Sequence, residues 1–435
     1  MRQVTVADNK EILLNRGQPF FYLADTVWGV FSAAKLEEWE VYLEYRRLQG
    51  FNALQISVLP LVHETVADEL PFRVGADGKW DFMSCNEAYF DKAEKMLQMA
   101  CERDFLPVLV VLWHNYVPGT GVNNMHPEYT IPWEAVQPYT EYVVKRFARY
   151  NPLYYISGDT QFENEQVTSY YEKALQTLKR CAPEAVTAMH MGSHQHEIPD
   201  RIVHSDDLDL YIYQSGHLTE TQSDCYELPE QFMEKTIRRP IINSEPCYEG
   251  HGYGNRYGRY GAFDIRRAFW WSVLGGAKAG FTYGAHGIWS WHRKGTPFHN
   301  EHFAKTPFDW RVALRFSGAW DIGYAKELFE QHAMFELVPR NDLLVTSYPE
   351  IRVAGSRDLS IVVVYVPYSI DVELSLDLTA EGYAVKMIDL DRRNVVQPAI
   401  STTFATDGVS KSSRIPMTDT NTDVLIIAIK EATTK

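Results

Sequence analysis

The sequence predicts an α/β protein built as a (β/α)8 TIM barrel followed by a C-terminal antiparallel β-sandwich. Apolar runs of strand length alternate with amphipathic helical stretches through the first three quarters of the chain, which is the pattern of a barrel. Downstream, short apolar runs follow one another with only turn residues between them, which is typical of a sandwich. We therefore expect the barrel to span residues 1–338 and the sandwich to span residues 339–435.

The predicted barrel strands are apolar runs that stop at small or polar residues. They are Phe20–Ala24, Phe51–Leu59, Phe105–Trp113, Leu153–Ile156, Val186–His190, Leu208–Gln214, Pro240–Ser244 and Gly280–Ala285. The predicted helices carry their apolar residues on one face, at a spacing of three to four residues. They are Lys35–Gln49, Asn86–Arg103, Pro138–Tyr150, Gln166–Cys181, Pro229–Arg238, Asp264–Leu274 and Trp320–Phe335.

The last quarter of the chain contains the predicted strands of the sandwich. Each run is short and is either alternating or continuously apolar. The runs are residues 345–355, 359–367, 372–378, 383–390 and 423–429. The junction Glu336–Leu344 is too short for a free linker, so we expect the two domains to pack together.

The composition excludes several classes of function. A net charge of −15 would repel nucleic acid and an anionic membrane surface. No apolar run reaches the length of a membrane span, and the N-terminus lacks the apolar segment of a signal peptide. The five cysteines are scattered without a CxxC pair, which suits free thiols in a reducing compartment. We expect a cytoplasmic protein without disulfides.

Two carboxylates follow predicted barrel strands. Asp159 comes after strand four, and Glu245 comes directly after strand seven. Functional residues of a (β/α)8 barrel lie at the carboxyl ends of its strands, and strands four and seven lie across the mouth from each other. Glycoside hydrolysis needs two carboxyl groups beside a sugar, one to protonate the leaving oxygen and one to attack the anomeric carbon or activate water.

Other residues at the predicted strand ends form a polar and aromatic cup around these carboxylates. Aromatic faces there predict stacking on sugar rings, and the polar groups predict hydrogen bonds to hydroxyls. The predicted substrate-binding residues are Asp25, Trp28, Gln55, Trp113, His114, His190, Gln214, His217, Tyr248, His286, Trp289 and Trp291. Asp25 also fits a turn cap, because Thr26 follows it. Glu249, in a glycine-rich loop, fits a loop-anchoring role better than a catalytic one.

Local matches along almost the whole chain resemble the apiosidase-like glycoside hydrolases, formerly a family of unknown function. PFFYLADTVWGVF is similar to the family's PFFWLGDTAW, YYISGDT to its WILGGD, and IYQSGH to its MIQSGH. PIINSEPCYEG is similar to its PVLDGEPxYE, and DIRRAFWWSVLGGAKAGFTYGAHGIWSW is similar to its DVRRxAYWSLFAGAxGHTYGHxxIW.

The resemblance implies a glycoside hydrolase that acts on a plant- or microbe-derived glycan fragment. By position, it implies that Asp159 is the general acid/base and that Glu245 is the nucleophile. Retaining barrel glycosidases of the wider clan use the same two strands, so we expect retention and carboxyl groups about 5–5.5 Å apart. The chain departs from the clan at Gly158 and Asp159, where relatives have Asn before Glu, and this leaves the sugar open.

Two other interpretations remain open. His190, His194 and His196 in HMGSHQHEIP suggest a metal-dependent hydrolase on the same barrel, although the HxH motif that such enzymes carry on strand one is missing. The second alternative is a non-catalytic carbohydrate-binding protein, which the presence of both carboxylates disfavours. No GxGxxG motif opens a helix after a strand. We expect an oligosaccharide partner, no cofactor and no metal.

Overall fold

The computed structural model describes residues 1–62, 67–76, 78–346, 348–379, 382–404, 411–417 and 423–430. Its first part is a closed (β/α)8 barrel, which confirms the predicted fold class. The parallel strands are β1 (Tyr22–Thr26), β2 (Ala53–Ser57), β3 (Leu106–Trp113), β4 (Leu153–Gly158), β5 (Thr187–Ala188), β6 (Tyr211–Gln214), β7 (Ile241–Glu245) and β8 (Gly280–Tyr283). β8 pairs with β1, and a bridge between Ala188 and Leu210 joins β5 to the segment that enters β6.

Helices cover the outside of the barrel and bury their apolar faces against the strands. They are α1 (Leu36–Leu48), α2 (Glu87–Glu102), α3 (Trp133–Phe147), α4 (Glu165–Cys181), α5 (Asp200–Val203), α6 (Asp224–Glu234), α7 (Ala262–Leu274) and α8 (Gly318–Gln331). Shorter elements lie in the connections. These are the strands Val4–Val6, Leu13–Asn15, Gln18–Phe20, Phe72–Val74 and Trp80–Cys85, and the one-turn helices Val30–Ala33, Gly121–Met125, Glu301–Ala304 and Trp310–Ala313.

The starts of two helices differ from the prediction. α3 and α6 were predicted to begin at Pro138 and Pro229. Both prolines instead lie inside their helices, and each helix begins more than one turn earlier. The extra turn of α3 buries Val136, so apolar burial outweighs the backbone hydrogen bond that proline removes.

No helix in the described ranges is long and apolar enough to cross a bilayer.

The C-terminal part contains two antiparallel sheets packed face to face. In spatial order, the larger sheet consists of Val338–Pro339, Arg352–Gly355, Ile361–Val366, Val424–Lys430, Tyr383–Asp389 and Val395–Val396. The smaller sheet consists of Val372–Leu374, Lys411–Ile415 and Ser401–Phe404. Val364 and Ile426 of the larger sheet share a buried cluster with Leu374 of the smaller one. Alternation along the strands thus supplies the sandwich core.

The second face of the larger sheet packs against the barrel. Val363, Tyr365 and Leu425 point to this side and belong to the same buried cluster as the barrel residues. Trp271 of α7 donates its indole N–H to the carbonyl of Glu350 at 2.7 Å. The barrel and the sandwich are therefore joined by a shared apolar layer and by hydrogen bonds at α7.

Candidate active site

A cavity of about 530 Å³ opens at the carboxyl ends of the barrel strands. Its size lies within the range of about 300–1,000 Å³ that is usual for small-ligand sites. Both predicted catalytic carboxylates line it, together with most of the predicted cup. The predicted residues in the lining are Trp28, Trp113, His114, Asp159, Gln214, His217, Glu245, Tyr248 and Trp289.

Glu245, at the end of β7, is nearly buried, with 9% of its side chain exposed. His217 Nε2 lies 3.2 Å from its Oε1, and His190 Nε2 lies 3.3 Å from its Oε2. Burial favours a higher pKa for this carboxyl, but the two imidazoles outweigh burial, and the pKa of Glu245 lies well below its ordinary value. Glu245 is therefore held as a carboxylate at neutral pH.

Asp159 follows β4 directly and has a left-handed backbone, with φ of 60°. Its side chain is 34% exposed, so it is much more accessible than Glu245. Gln214 Nε2 donates to its Oδ1 at 3.2 Å, and the amide oxygen of Gln214 accepts a hydrogen bond from the Ser193 hydroxyl. Its Oδ2 lies 4.0 Å from His114 Nε2. Gln214 thus engages one carboxylate oxygen, and the other, Oδ2, faces His114.

His190 links the two carboxylates from below the cavity. The backbone N–H of Asp159 donates to His190 Nδ1 at 3.2 Å, so Nδ1 is an acceptor and the ring hydrogen is on Nε2. Nε2 is the atom that approaches Glu245. His190 is fully buried and is not part of the cavity lining, which corrects its prediction as a substrate-binding residue. It holds the carboxylates instead.

Packing explains the glycine that precedes Asp159. A Cβ atom on Gly158 would lie 2.2 Å from Cε3 of Trp113, so the indole ring fills the space of any side chain there. Trp113 packs edge-on against Trp28, with ring centroids 5.1 Å apart. Trp28 in turn donates its indole N–H to the Tyr248 hydroxyl at 3.1 Å. The clan's Asn at this position is therefore incompatible with this arrangement of indoles.

Comparison with known proteins identifies the family. A family model described as the apiosidase-like catalytic domain matches residues 7–336. The chain belongs to the apiosidase-like family. It is therefore a glycoside hydrolase, and the resemblance seen in the sequence is confirmed. A search of curated proteins gave no sequence match.

Two solved structures match the fold of nearly the whole apiosidase-like protein, and a third matches about three quarters of it. A protein described as a glycoside hydrolase covers 99% of this chain and 97% of its own, with 18% identity and a TM-score of 0.80. A glycoside hydrolase family 5 protein from Bacteroides vulgatus ATCC 8482 covers 99% and 93%, with 19% identity and a TM-score of 0.80. An endo-1,4-beta-mannanase from Rhizomucor miehei covers 74% and 99%, with 11% identity and a TM-score of 0.50. At these identities the likeness establishes the fold alone.

Two predicted substrate-binding residues lie inside the barrel wall of the apiosidase-like protein. Asp25 is fully buried, and its Oδ2 lies 2.6 Å from Arg46 Nε and 2.6 Å from the Tyr42 hydroxyl. Gln55 is also fully buried and donates to the Tyr22 hydroxyl at 2.9 Å. Neither lines the cavity. The predicted sugar contacts of Asp25 and Gln55 are therefore corrected to structural roles, and Asp25 forms an ion pair with Arg46 rather than a turn cap.

Two further predicted residues, after β8, are buried outside the cavity lining. His286 is fully buried; its Nε2 donates to the carbonyl of Lys305 at 2.8 Å, and its Nδ1 accepts from Trp289 Nε1 at 3.2 Å. Trp291 is 1% exposed and donates to Glu38 at 3.1 Å. Both lie outside the cavity lining, which corrects their prediction as substrate contacts. A position near a strand end does not fix the direction of the side chain.

The cavity also contains residues that were not predicted to bind substrate. They are Leu61, Gly121, Val122, Gln161, Glu163, Gly192, Ser193, His194, Leu218, His251, Asn300, Phe303 and Ala304. His251 stacks on His217, with ring centroids 4.4 Å apart, and burial lowers the pKa of His251 well below its ordinary value. These residues lie in the connections that follow the barrel strands, among them the one-turn helices Gly121–Met125 and Glu301–Ala304. Because they lie beyond the strand ends, the strand-end rule did not mark them in the sequence.

The histidines proposed as metal ligands are directed to carboxylates. His194 Nδ1 contacts Asp224, and His196 Nε2 lies 3.0 Å from Glu197. Within the described parts of the chain, no three His, Cys, Asp or Glu side chains converge as a metal site requires.

Proposed function

We propose that this protein hydrolyses a glycosidic bond in a plant- or microbe-derived glycan fragment with retention of anomeric configuration. The proposal rests on the different environments of two carboxyl groups that line one cavity. Glu245 is buried between two imidazoles and kept ionised, whereas Asp159 is one-third exposed and bound by Gln214 through one oxygen. These settings suit a nucleophile and a general acid/base, respectively.

The proposed reaction has two steps. First, Glu245 attacks the anomeric carbon while Asp159 gives its proton to the leaving oxygen; the glycosidic bond breaks and a glycosyl ester forms on Glu245. Second, Asp159 takes a proton from water, the water oxygen attacks the anomeric carbon, and the carboxylate of Glu245 departs. The same imidazoles that keep Glu245 ionised also stabilise it as a leaving group in this second step. Neither step needs a metal or a cofactor.

A panel of 4-nitrophenyl glycosides and pectic oligosaccharides tests the proposal. We expect hydrolysis of at least one compound and a fall in kcat of at least about 10³-fold in Glu245→Gln. Asp159→Asn should harm oligosaccharide cleavage more than nitrophenyl glycoside cleavage, because nitrophenolate leaves with little need of a proton.

Glu249→Gln is the matched control. Glu249 lies four residues beyond Glu245, and Tyr283 and the backbone of Gly318 hold its carboxylate. This variant should keep its activity. A panel without any hydrolysed glycoside, or losses of equal depth in Glu249→Gln and Glu245→Gln, would contradict the proposal.

The stereochemistry is tested with the same enzyme. NMR of the first-formed sugar should show the anomeric configuration of the substrate. Azide should restore activity to Glu245→Ala and yield a glycosyl azide of inverted configuration, because azide takes the place of the missing nucleophile. An inverted sugar from the unmutated enzyme would instead make Glu245 a base that activates water.

A further inference from the structure

A second cavity, of about 350 Å³, opens at the end of the barrel opposite the candidate active site. Its lining includes Ile241, the first residue of β7, whereas Glu245 ends the same strand. Four residues of a strand span about 13 Å, so the length of the barrel strands separates the two cavities. Lys278, which precedes β8, residues 337–339 and Arg357 of the sandwich also line it. This cavity therefore lies where the barrel meets the sandwich.

Positive charge dominates this second cavity. Its basic lining residues are Lys10, Arg238, Arg239, Lys278 and Arg357, and its acidic lining residue is Glu11. Both carboxylate oxygens of Glu11 are already bound, because Lys278 donates to Oε2 at 2.7 Å and Arg357 donates to Oε1 at 2.6 Å. Five cations against one carboxylate leave a formal charge of +4, in a chain whose net charge is −15. Such a local excess of positive charge attracts anions.

Arg239 is a nearly buried cation in this wall, with 9% of the residue exposed. Its Nε donates to the carbonyl of Leu208 at 2.7 Å, and its Nη1 donates to the Tyr211 hydroxyl at 2.8 Å. Its Nη2 donates to the carbonyls of Val203 and Ser205 at 2.8 and 3.1 Å. All these acceptors are neutral, and none of the described carboxylates forms an ion pair with Arg239, although buried charges are normally paired. A hydrogen on Nη1 is left for an anion.

Two further cations of the wall can turn towards a ligand. Lys10 lies on the turn after the strand Val4–Val6, and Arg238 lies between α6 and β7; both are exposed. Within the described ranges, neither side chain forms an ion pair or a hydrogen bond. Apolar groups, among them Phe232 and Pro339, make up the rest of the lining. A ligand that fits both parts has an anionic group and a carbon body.

We propose that this cavity binds a small phosphate ester. A phosphate ester carries nearly two negative charges at neutral pH, so one group offsets more of the local charge than a carboxylate does. Its oxygens accept paired hydrogen bonds from guanidinium groups, which suits Arg238 and Arg239. Because the wall combines residues of the barrel and of the sandwich, the bound ester should stabilise the folded chain rather than take part in the reaction at Glu245.

Calorimetric titration of the whole protein with phenyl phosphate, which joins a phosphate to an apolar ring, tests the proposal. We expect one saturable site with a Kd below about 1 mM. At ten times its Kd, the ester should raise Tm by about 1–2 °C. In Lys10→Asn/Arg238→Ala, Kd should rise by at least about 10-fold, because two charged partners are removed. Asparagine suits the left-handed backbone of Lys10, whose φ is 59°, so the variant should fold.

Arg47→Ala/Lys145→Ala is the matched control, since it removes two exposed cations of α1 and α3, away from this cavity. Both this variant and Glu245→Gln should bind phenyl phosphate as the unmutated protein does. No saturable binding, equal weakening in the two double variants, or the same rise in Tm with sodium chloride at equal ionic strength would overturn the proposal. Binding lost in Glu245→Gln would place the ester in the active site, and binding of citrate without phenyl phosphate would identify a carboxylate site; either result also defeats it.

Discussion

At the scale of single residues, the contacts of the two ring nitrogens distinguish the histidines beside Glu245 from a histidine that only supports the fold. His190 and His217 direct Nε2 at a carboxylate and keep it ionised. His286 instead donates through Nε2 to a carbonyl and accepts through Nδ1 from an indole N–H. The neutral ring satisfies both contacts, whereas a protonated ring would set two N–H groups against each other. Burial accordingly lowers the pKa of His286 to about 3.

His286 should make stability depend on pH. Its folded pKa lies below the unfolded value of about 6.5, so the unfolded chain takes up the proton first. The stability that the neutral His286 ring contributes is fully present above about pH 6.5 and is lost as the pH falls towards 3. Between pH 7 and pH 5, this residue should account for a loss of about 2 kcal/mol in the free energy of unfolding.

Urea unfolding of His286→Gln at the two pH values checks this. Glutamine does not titrate, so the variant should lack that part of the pH dependence, whatever its stability at pH 7. His196→Gln, at a partly exposed site, should retain it. An unchanged difference between pH 7 and pH 5 in His286→Gln would mean that this ring is protonated in the folded protein.

At the scale of elements, the sequence predicted which strands and helices exist better than it predicted where they begin or which way their side chains point. All eight predicted barrel strands overlap the observed ones, because a strand buried on both faces is a continuous apolar run. The start of α6 was misplaced by more than one turn, since the helix begins at Asp224 and not at Pro229. Asp159 and Glu245 could be found from their strand ends, whereas Asp25 could not be recognised as an ion-paired wall residue. Its partner Arg46 is 21 residues away, and only the packing of α1 against β1 brings them together.

The contact between α7 and the sandwich depends on a buried ion pair. Arg266 Nη2 lies 2.8 Å from Oδ1 of Asp423, and their side chains are 5% and 0% exposed. Asp423→Ala would leave the Nε and Nη2 groups of buried Arg266 without their carboxylate, while Nη1 keeps its contacts to Asp321 and Asp391, so we expect a loss of about 3 kcal/mol in the free energy of unfolding. Denaturant unfolding measures it.

Repeating Asp423→Ala in a variant that lacks Arg266 tests whether the ion pair causes that loss. In an Arg266→Met background, Asp423→Ala should cost less than about 1 kcal/mol, because no buried cation remains to be stranded. Glu330→Ala removes an i, i+4 pair with Lys326 on the outer face of α8, in which the glutamate side chain is 40% exposed, and should cost less than about 0.5 kcal/mol. Equal costs of Asp423→Ala in both backgrounds would show that the ion pair does not carry the interface.

At the scale of the whole molecule, the barrel and the sandwich share one apolar core. Tyr365 and Leu425 of the sandwich are fully buried in the same cluster as the barrel residues. The first strand of the larger sheet, Val338–Pro339, pairs with Arg352–Gly355 directly after the last barrel helix. Only a short connection separates the barrel from the sandwich, and a buried apolar layer joins them. Neither part can unfold without exposing the core of the other.

We therefore expect the chain to unfold in one cooperative transition. All eleven tryptophans precede the sandwich, so their fluorescence reports on the barrel and, through Trp271, on its contact with the sandwich. Hydrogen exchange in the central strand Val424–Lys430 reports on the sandwich. If the shared core couples the barrel to the sandwich, the two probes should give the same free energy of unfolding. Residues 1–338 expressed alone should be far less stable than the whole chain, because the face of α7 that packs on Tyr365 would be exposed to water. A sandwich that exchanges well before the tryptophan signal changes, with a barrel fragment as stable as the whole chain, would show that the interface is only a contact between independent domains.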